Sequence, residues 1–126
     1  MTFVDTTVFM YAVGLSHPLK AASQKFFEDS LHNGATLLTS AEVMQELLHA
    51  YLPVNRLKTL DAAITLIDSC IQKVFAIERE DVDFARILMA RYPDLNARDL
   101  VHLACCPRHG LKKIKTFDRQ LATQFR

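Results

Sequence analysis

Fourteen acidic side chains are spread over 126 residues, and most can only be solvated surface. The ends of strands offer a rule for singling out those able to do chemistry. In open α/β sheets, ligands gather beyond the carboxyl ends of the strands. Asp5 follows Phe3-Val4, and Asp118 follows Ile114-Lys115-Thr116-Phe117. Each can also cap the helix after it, and the two roles are compatible because a carboxylate has two oxygens. In 41–52, Val43, Met44, Leu47, Leu48, Ala50 and Tyr51 fill one apolar arc at ~100° per residue. Glu46 borders that arc beside Ala50, whereas Glu42 lies mid-way round the polar face and reads as solvated. In 98–106 the arc is Leu100, Val101, Leu103 and Ala104. Asp99 stands at its edge, in the first turn, where the helix dipole favours a carboxylate.

If Asp5, Glu46, Asp99 and Asp118 converge, their repulsion is severe. Four carboxylates make six pairs, each worth about 2.4 kcal/mol at ~7 Å and an effective dielectric of ~20. The total, roughly 14 kcal/mol, equals the whole stability of a small domain. Such a cluster needs a cation, or must hold protons through raised pKa values. Oxygen-only donors select hard ions, Mg²⁺ or Mn²⁺, over zinc. A divalent ion on an acidic cluster suits phosphodiester hydrolysis.

The elements that must position these acids are short. Residues 2–5, 35–39, 73–77 and 113–117 read as strands, with recurring β-branched or aromatic residues. Helical patterns lie between them. Residues 19–32 follow Pro18 and stop at Asn33-Gly34; 41–52 start after Ser40 and stop before Pro53. In 56–72, Leu57, Leu60, Ile64, Ile67 and Ile71 form one stripe, read as core. Residues 80–91 and 98–106 stop before Pro93 and Pro107, and a last helix follows Asp118. Strands separated by helices predict an α/β fold with a short, mainly parallel sheet of four or five strands. The length predicts one domain over 1–126.

Composition narrows the class. Half the residues are hydrophobic, and Gly and Pro number only 3 and 4, which excludes collagen-like and disordered chains. No apolar run nears the ~18 residues of a membrane span. The three cysteines make no CxxC, so a reduced, cytoplasmic setting is expected. Net charge is +1, but residues 107–126 hold six Lys or Arg against the single acid Asp118. A basic end of this kind can follow a phosphate backbone. Arg98, Lys115 and Arg119, which adjoin Asp99 and Asp118, are the expected phosphate contacts.

Other residues read as structural. Glu46 and His49 form a lone E-x-x-H without the second copy a di-iron site needs. His102, three residues after Asp99, reads as a histidine making a structural hydrogen bond. Cys105 and Cys106 read as packing residues, and Phe26, Phe27 and Phe84 as core.

At the acids the chain resembles PIN-domain ribonucleases, and among them the small VapC-type toxins of toxin–antitoxin pairs. F-V-D-T-T-V-F resembles the family's opening motif, with Asp5 as first acid; T-S-A-E-V-M-Q-E-L resembles the second, with Glu46. A-R-D-L-V-H-L-A resembles the third, with Asp99, and K-T-F-D-R the last, with Asp118 after Thr116. Thr7 stands where the family has Asn or Ser, and Arg119-Gln120-Leu121 stand where many members carry a further acid. The resemblance implies a three-layer PIN-like fold and a Mg²⁺- or Mn²⁺-dependent endoribonuclease. It also implies a homodimer and an inhibiting antitoxin protein. Thr6 and Thr116, inside these motifs, join Arg98 and Arg119 as candidate substrate contacts. A non-catalytic PIN-like RNA- or protein-binding module, or another metal-dependent nuclease or phosphatase, stays open as an alternative.

Overall fold

The computed structural model describes residues 1–124, with main chain alone at Gln120 and Gln124. Arg126, counted above with the basic end, lies outside the described residues. Four strands form one sheet: β1 (Thr2–Val4), β2 (Leu37–Ser40), β3 (Lys73–Phe75) and β4 (Ile114–Lys115). Their order is β3-β2-β1-β4, and every pair is parallel. Phe3 pairs with Leu38 on one side and Ile114 on the other. All four carboxyl ends therefore face the same way, and β1 sits centrally, with Asp5 leaving its end.

Seven helices flank the sheet among the described residues. They are α1 (Thr6–Val13), α2 (Lys20–His32), α3 (Ala41–Tyr51), α4 (Leu57–Cys70), α5 (Arg79–Leu88), α6 (Ala97–Arg108) and α7 (Arg119–Gln124). Ser40 caps α3 through Val43 N–H, and Asn96 caps α6 through Asp99 N–H. Gly34 ends α2 with φ +65°, which lets its own N–H reach Leu31 and that of Ala35 reach Ser30. The larger core gathers Phe3, Val4, Val8, Phe9, Phe27 and Leu47 with residues of α4 and α6. A smaller cluster joins α5, α6 and Leu121 of α7. Beside it, Asp81 of α5 is 1% exposed and accepts both arms of Arg108 from α6, at 2.8 and 2.7 Å.

Three expectations change. Helix α1 was not foreseen: T-T-V-F-M-Y-A-V has no polar face, because it is packed on several sides by α2, α3 and α4. Helix α6 continues through Pro107 to Arg108, since proline in a last turn forfeits only one hydrogen bond. Phe84 on α5 and Leu57 at the start of α4 are not core but 39% and 46% exposed.

Candidate active site

Asp5 occupies the N-cap position of α1 in extended backbone, yet its side chain makes no capping bond. The carboxylate is instead held by side chains that come from opposite ends of the sequence. Its Oδ2 accepts from the Thr116 hydroxyl at 2.6 Å and the Thr7 hydroxyl at 3.2 Å. Those hydroxyls accept in turn from backbone: Thr7 from Phe117 N–H, Thr116 from Asp118 N–H. The two threonines thus tie the end of β1, the first turn of α1 and the loop after β4 to one carboxylate oxygen. Thr6, in contrast, is buried with an unpaired hydroxyl. Of the two adjacent threonines it is Thr7, the position that departs from the family pattern, whose hydroxyl touches Asp5.

His102 of α6 is wholly buried, and its Nε2 lies 2.6 Å from Glu46 Oε1 and 3.5 Å from Asp5 Oδ1. Burial works against its charged form. The hydrogen bond to Glu46 and the field of Asp5 outweigh it, so the pKa of His102 is raised. The imidazole lies beside two carboxylates, and it reaches the site rather than resting in the core. Its place three residues after Asp99 on one helix face was the sequence signal. His49 is exposed, so the E-x-x-H spacing has no partner function here.

Asp99 caps nothing with its side chain that the structure records, but its environment is telling. Its pKa rises to about 6, first through burial and then through Asp118, with Asp5 and Glu46 adding and His102 opposing. Asp99 therefore feels the other three expected acids. Asp118 also does the work of a cap, since its Oδ1 accepts from Leu121 N–H at 3.2 Å. Glu42 corrects the helical-wheel reading. It is half-buried, and burial, followed by Glu46, raises its pKa against the pull of His102 and Arg98. A fifth acid thus borders the group, with Arg98 beside it. Arg119 is exposed, and Lys115 places its ammonium over the rings of Phe117 and Phe26 at 5.0 and 5.4 Å.

Among the described residues, no three His, Cys, Asp or Glu side chains form a ready-made metal site. The chemistry of the donors nevertheless fits a hard divalent cation. The acids offer oxygen alone, and Asp99, its pKa raised first by burial and then by Asp118, is a carboxyl whose charged form a cation would stabilise.

The PIN domain family model matches residues 2–124. The chain is 55% identical to Ribonuclease VapC23 of Mycobacterium tuberculosis over 126 residues, covering 100% of this chain and 99% of that protein. It is 40% identical over 119 residues to Ribonuclease VapC13 of the same organism, covering 94% and 91%. Among solved structures, Mycobacterium tuberculosis VapC20, described as a sarcin–ricin loop cleaving toxin, superposes with a TM-score of 0.77. That match covers 98% of this chain and 95% of the other at 15% identity, a likeness of fold.

Proposed function

The chain belongs to the PIN-domain family, and on that premise we propose that it is a Mg²⁺- or Mn²⁺-dependent endoribonuclease, the toxin of a toxin–antitoxin pair. The observation that carries this reading is His102 Nε2 lying beside both Glu46 and Asp5, beyond the carboxyl ends of parallel strands, with the pKa of Asp99 raised by burial and then by Asp118, Asp5 and Glu46. By the same reading residues 1–126 act as one domain that pairs as a homodimer, binds an antitoxin and works in the cytoplasm. Among the described residues no helix is long and apolar enough to cross a membrane.

Asp5, Asp99 and Asp118 would hold the ion, with Glu46 completing the group. An ion held there would supply an activated water and a charge to stabilise the phosphoryl oxygens. Thr7 and Thr116 keep one oxygen of Asp5 fixed, so the other faces His102 and the cleft. Fixing a carboxylate before substrate arrives removes the cost of ordering it during reaction. His102 holds Glu46 in the same way and offsets part of the repulsion a phosphate meets on entry. Arg98, Arg119 and Lys115 offset the rest.

The test is cleavage of single-stranded RNA, with duplex DNA and a small phosphoester alongside, in added Mn²⁺. Wild type should cut RNA, and Asp5→Asn should not. An Asp5→Asn variant that cuts at the wild-type rate overturns the assignment, and hydrolysis of the phosphoester alone makes the chain a phosphatase.

A further inference from the structure

The edge of the sheet away from β3 carries a second feature. Beside β4 lies a groove of about 370 Å³, lined by Thr2, Phe26, Ala122 and the lysines Lys112, Lys113 and Lys115. Lys112 and Lys113 are exposed, and among the described residues none of the three lysines makes an ion pair. Three uncompensated ammonium groups within four residues, along one concave surface, favour a polyanion.

The groove and the site are neighbours along β4. Lys115 lines it, and its ammonium is held over the rings of Phe26 on one side and Phe117 on the other. The next residue, Thr116, donates to Asp5. Lys115 thus stands one residue from a side chain that touches Asp5.

We propose that the β4 groove binds the RNA backbone away from the scissile bond, with Lys112 and Lys113 as phosphate contacts and Lys115 linking the groove to the cleft. This deepens the ribonuclease reading and rests on it. Lysine suits the task, since a point charge on a flexible stem follows a backbone without reading sequence. The competing role is protective, because lysines on an edge strand also deter pairing with another chain.

The experiment is binding of a mixed-sequence 20-nucleotide RNA across a salt series in EDTA, which needs no cleavage. The variants are Lys112→Ala/Lys113→Ala and, as control, Lys25→Ala. Lys25 sits on α2 beside Phe26 but pairs with Asp29. The double variant should bind roughly tenfold more weakly near 0.1 M salt. Its log–log salt slope should shrink by about 1.4, at ~0.7 per single-strand phosphate contact. In Mn²⁺ it should raise KM for the 20-mer, leave kcat unchanged, and leave a tetranucleotide unaffected. An unchanged slope, with or without new self-association, would show the lysines only guard the edge and overturn the proposal. An equal loss in Lys25→Ala would do the same, since the effect would then be general charge. Unchanged RNA affinity with lost binding to poly-glutamate would assign the groove to an acidic protein instead. Should wild type cut no RNA at all, the nuclease reading fails while the slope still reports on the groove.

Discussion

Asp81 and Asp5 are almost equally buried, at 1% and 3% exposed, yet their surroundings are opposite in kind. Asp81 meets a full counter-charge. Arg108 grips both oxygens, Glu78 N–H adds a third bond, and the hydrogen bond from Arg108 leads in holding the pKa below the usual carboxylate range. Asp5 meets hydroxyls and a histidine already bound to Glu46, and its neighbours include Asp99, whose carboxyl is pushed up to about 6. One aspartate joins two helices and is satisfied. The other belongs to a group left short of positive charge. A buried carboxylate is thus no sign of function by itself, and what distinguishes the second is the deficit around it.

That contrast can be broken by mutation and by pH. The largest effect expected is on cleavage: Asp5→Asn should lower the rate at least about a thousandfold, roughly 4 kcal/mol of barrier. Its melting temperature in EDTA should hold or rise, because a repulsive charge is gone. A variant that melts lower in EDTA would place Asp5 with Asp81 as a structural residue. The pH dependence comes next. Asp99 takes a proton more readily folded than unfolded, so its share of metal-free stability is complete below about pH 4. That share drains away as pH climbs through about 6. Its ceiling is about 3 kcal/mol before solvent screening. Asp81 works in reverse, contributing above pH 4 and losing its share below. Urea midpoints in EDTA should accordingly peak near pH 4 to 5 and fall toward pH 7, and Mn²⁺ should restore stability at pH 7. A midpoint that rises from pH 4 to 7 without metal would contradict the deficit.

Asp81→Asn should cost about 2 kcal/mol of stability by urea titration, the range for a hydrogen bond to a charged group. RNA cleavage per folded molecule should not change. If cleavage falls while the fold holds, the two regions are coupled. The smallest effect belongs to Glu42→Gln, which relieves one like-charge neighbour of Glu46. Metal-free stability near pH 7 should rise by a few tenths of a kcal/mol, with cleavage affected far less than in Glu46→Gln. Equal loss in the two would make Glu42 a full member of the site.

The strands were legible because β-branched and aromatic residues cluster where the sheet runs; Asp5 and Asp118 were read from the ends of those runs, and Glu46 and Asp99 from the rims of apolar helical arcs. Helix α1 was hidden by its own burial, since periodicity needs a polar face to show against. Glu42 was misplaced for a related reason. A helical wheel finds the face turned to the main core, but α3 also meets α6, and that second contact half-buries Glu42. The hydroxyl clamp on Asp5 joins residues 111 positions apart, and Arg108 lies 27 from Asp81; neither distance leaves a local trace. The fold and four candidate acids could be read, but the partners around them needed the tertiary structure.

The bond from Thr116 to Asp5, and the pairing of β1 with β4, also set an order of events during synthesis. At ~5–20 residues per second, a growing chain carries Asp5 for roughly 6–20 s before Thr116 exists. Through that interval β2 and β3 can join β1 and the helices can begin to pack, but the carboxylate lacks its clamp. Closing a loop of this span is slow and comes last. A nuclease assembled in this order acquires its cutting site after its scaffold, and so spends its time beside the ribosome unarmed.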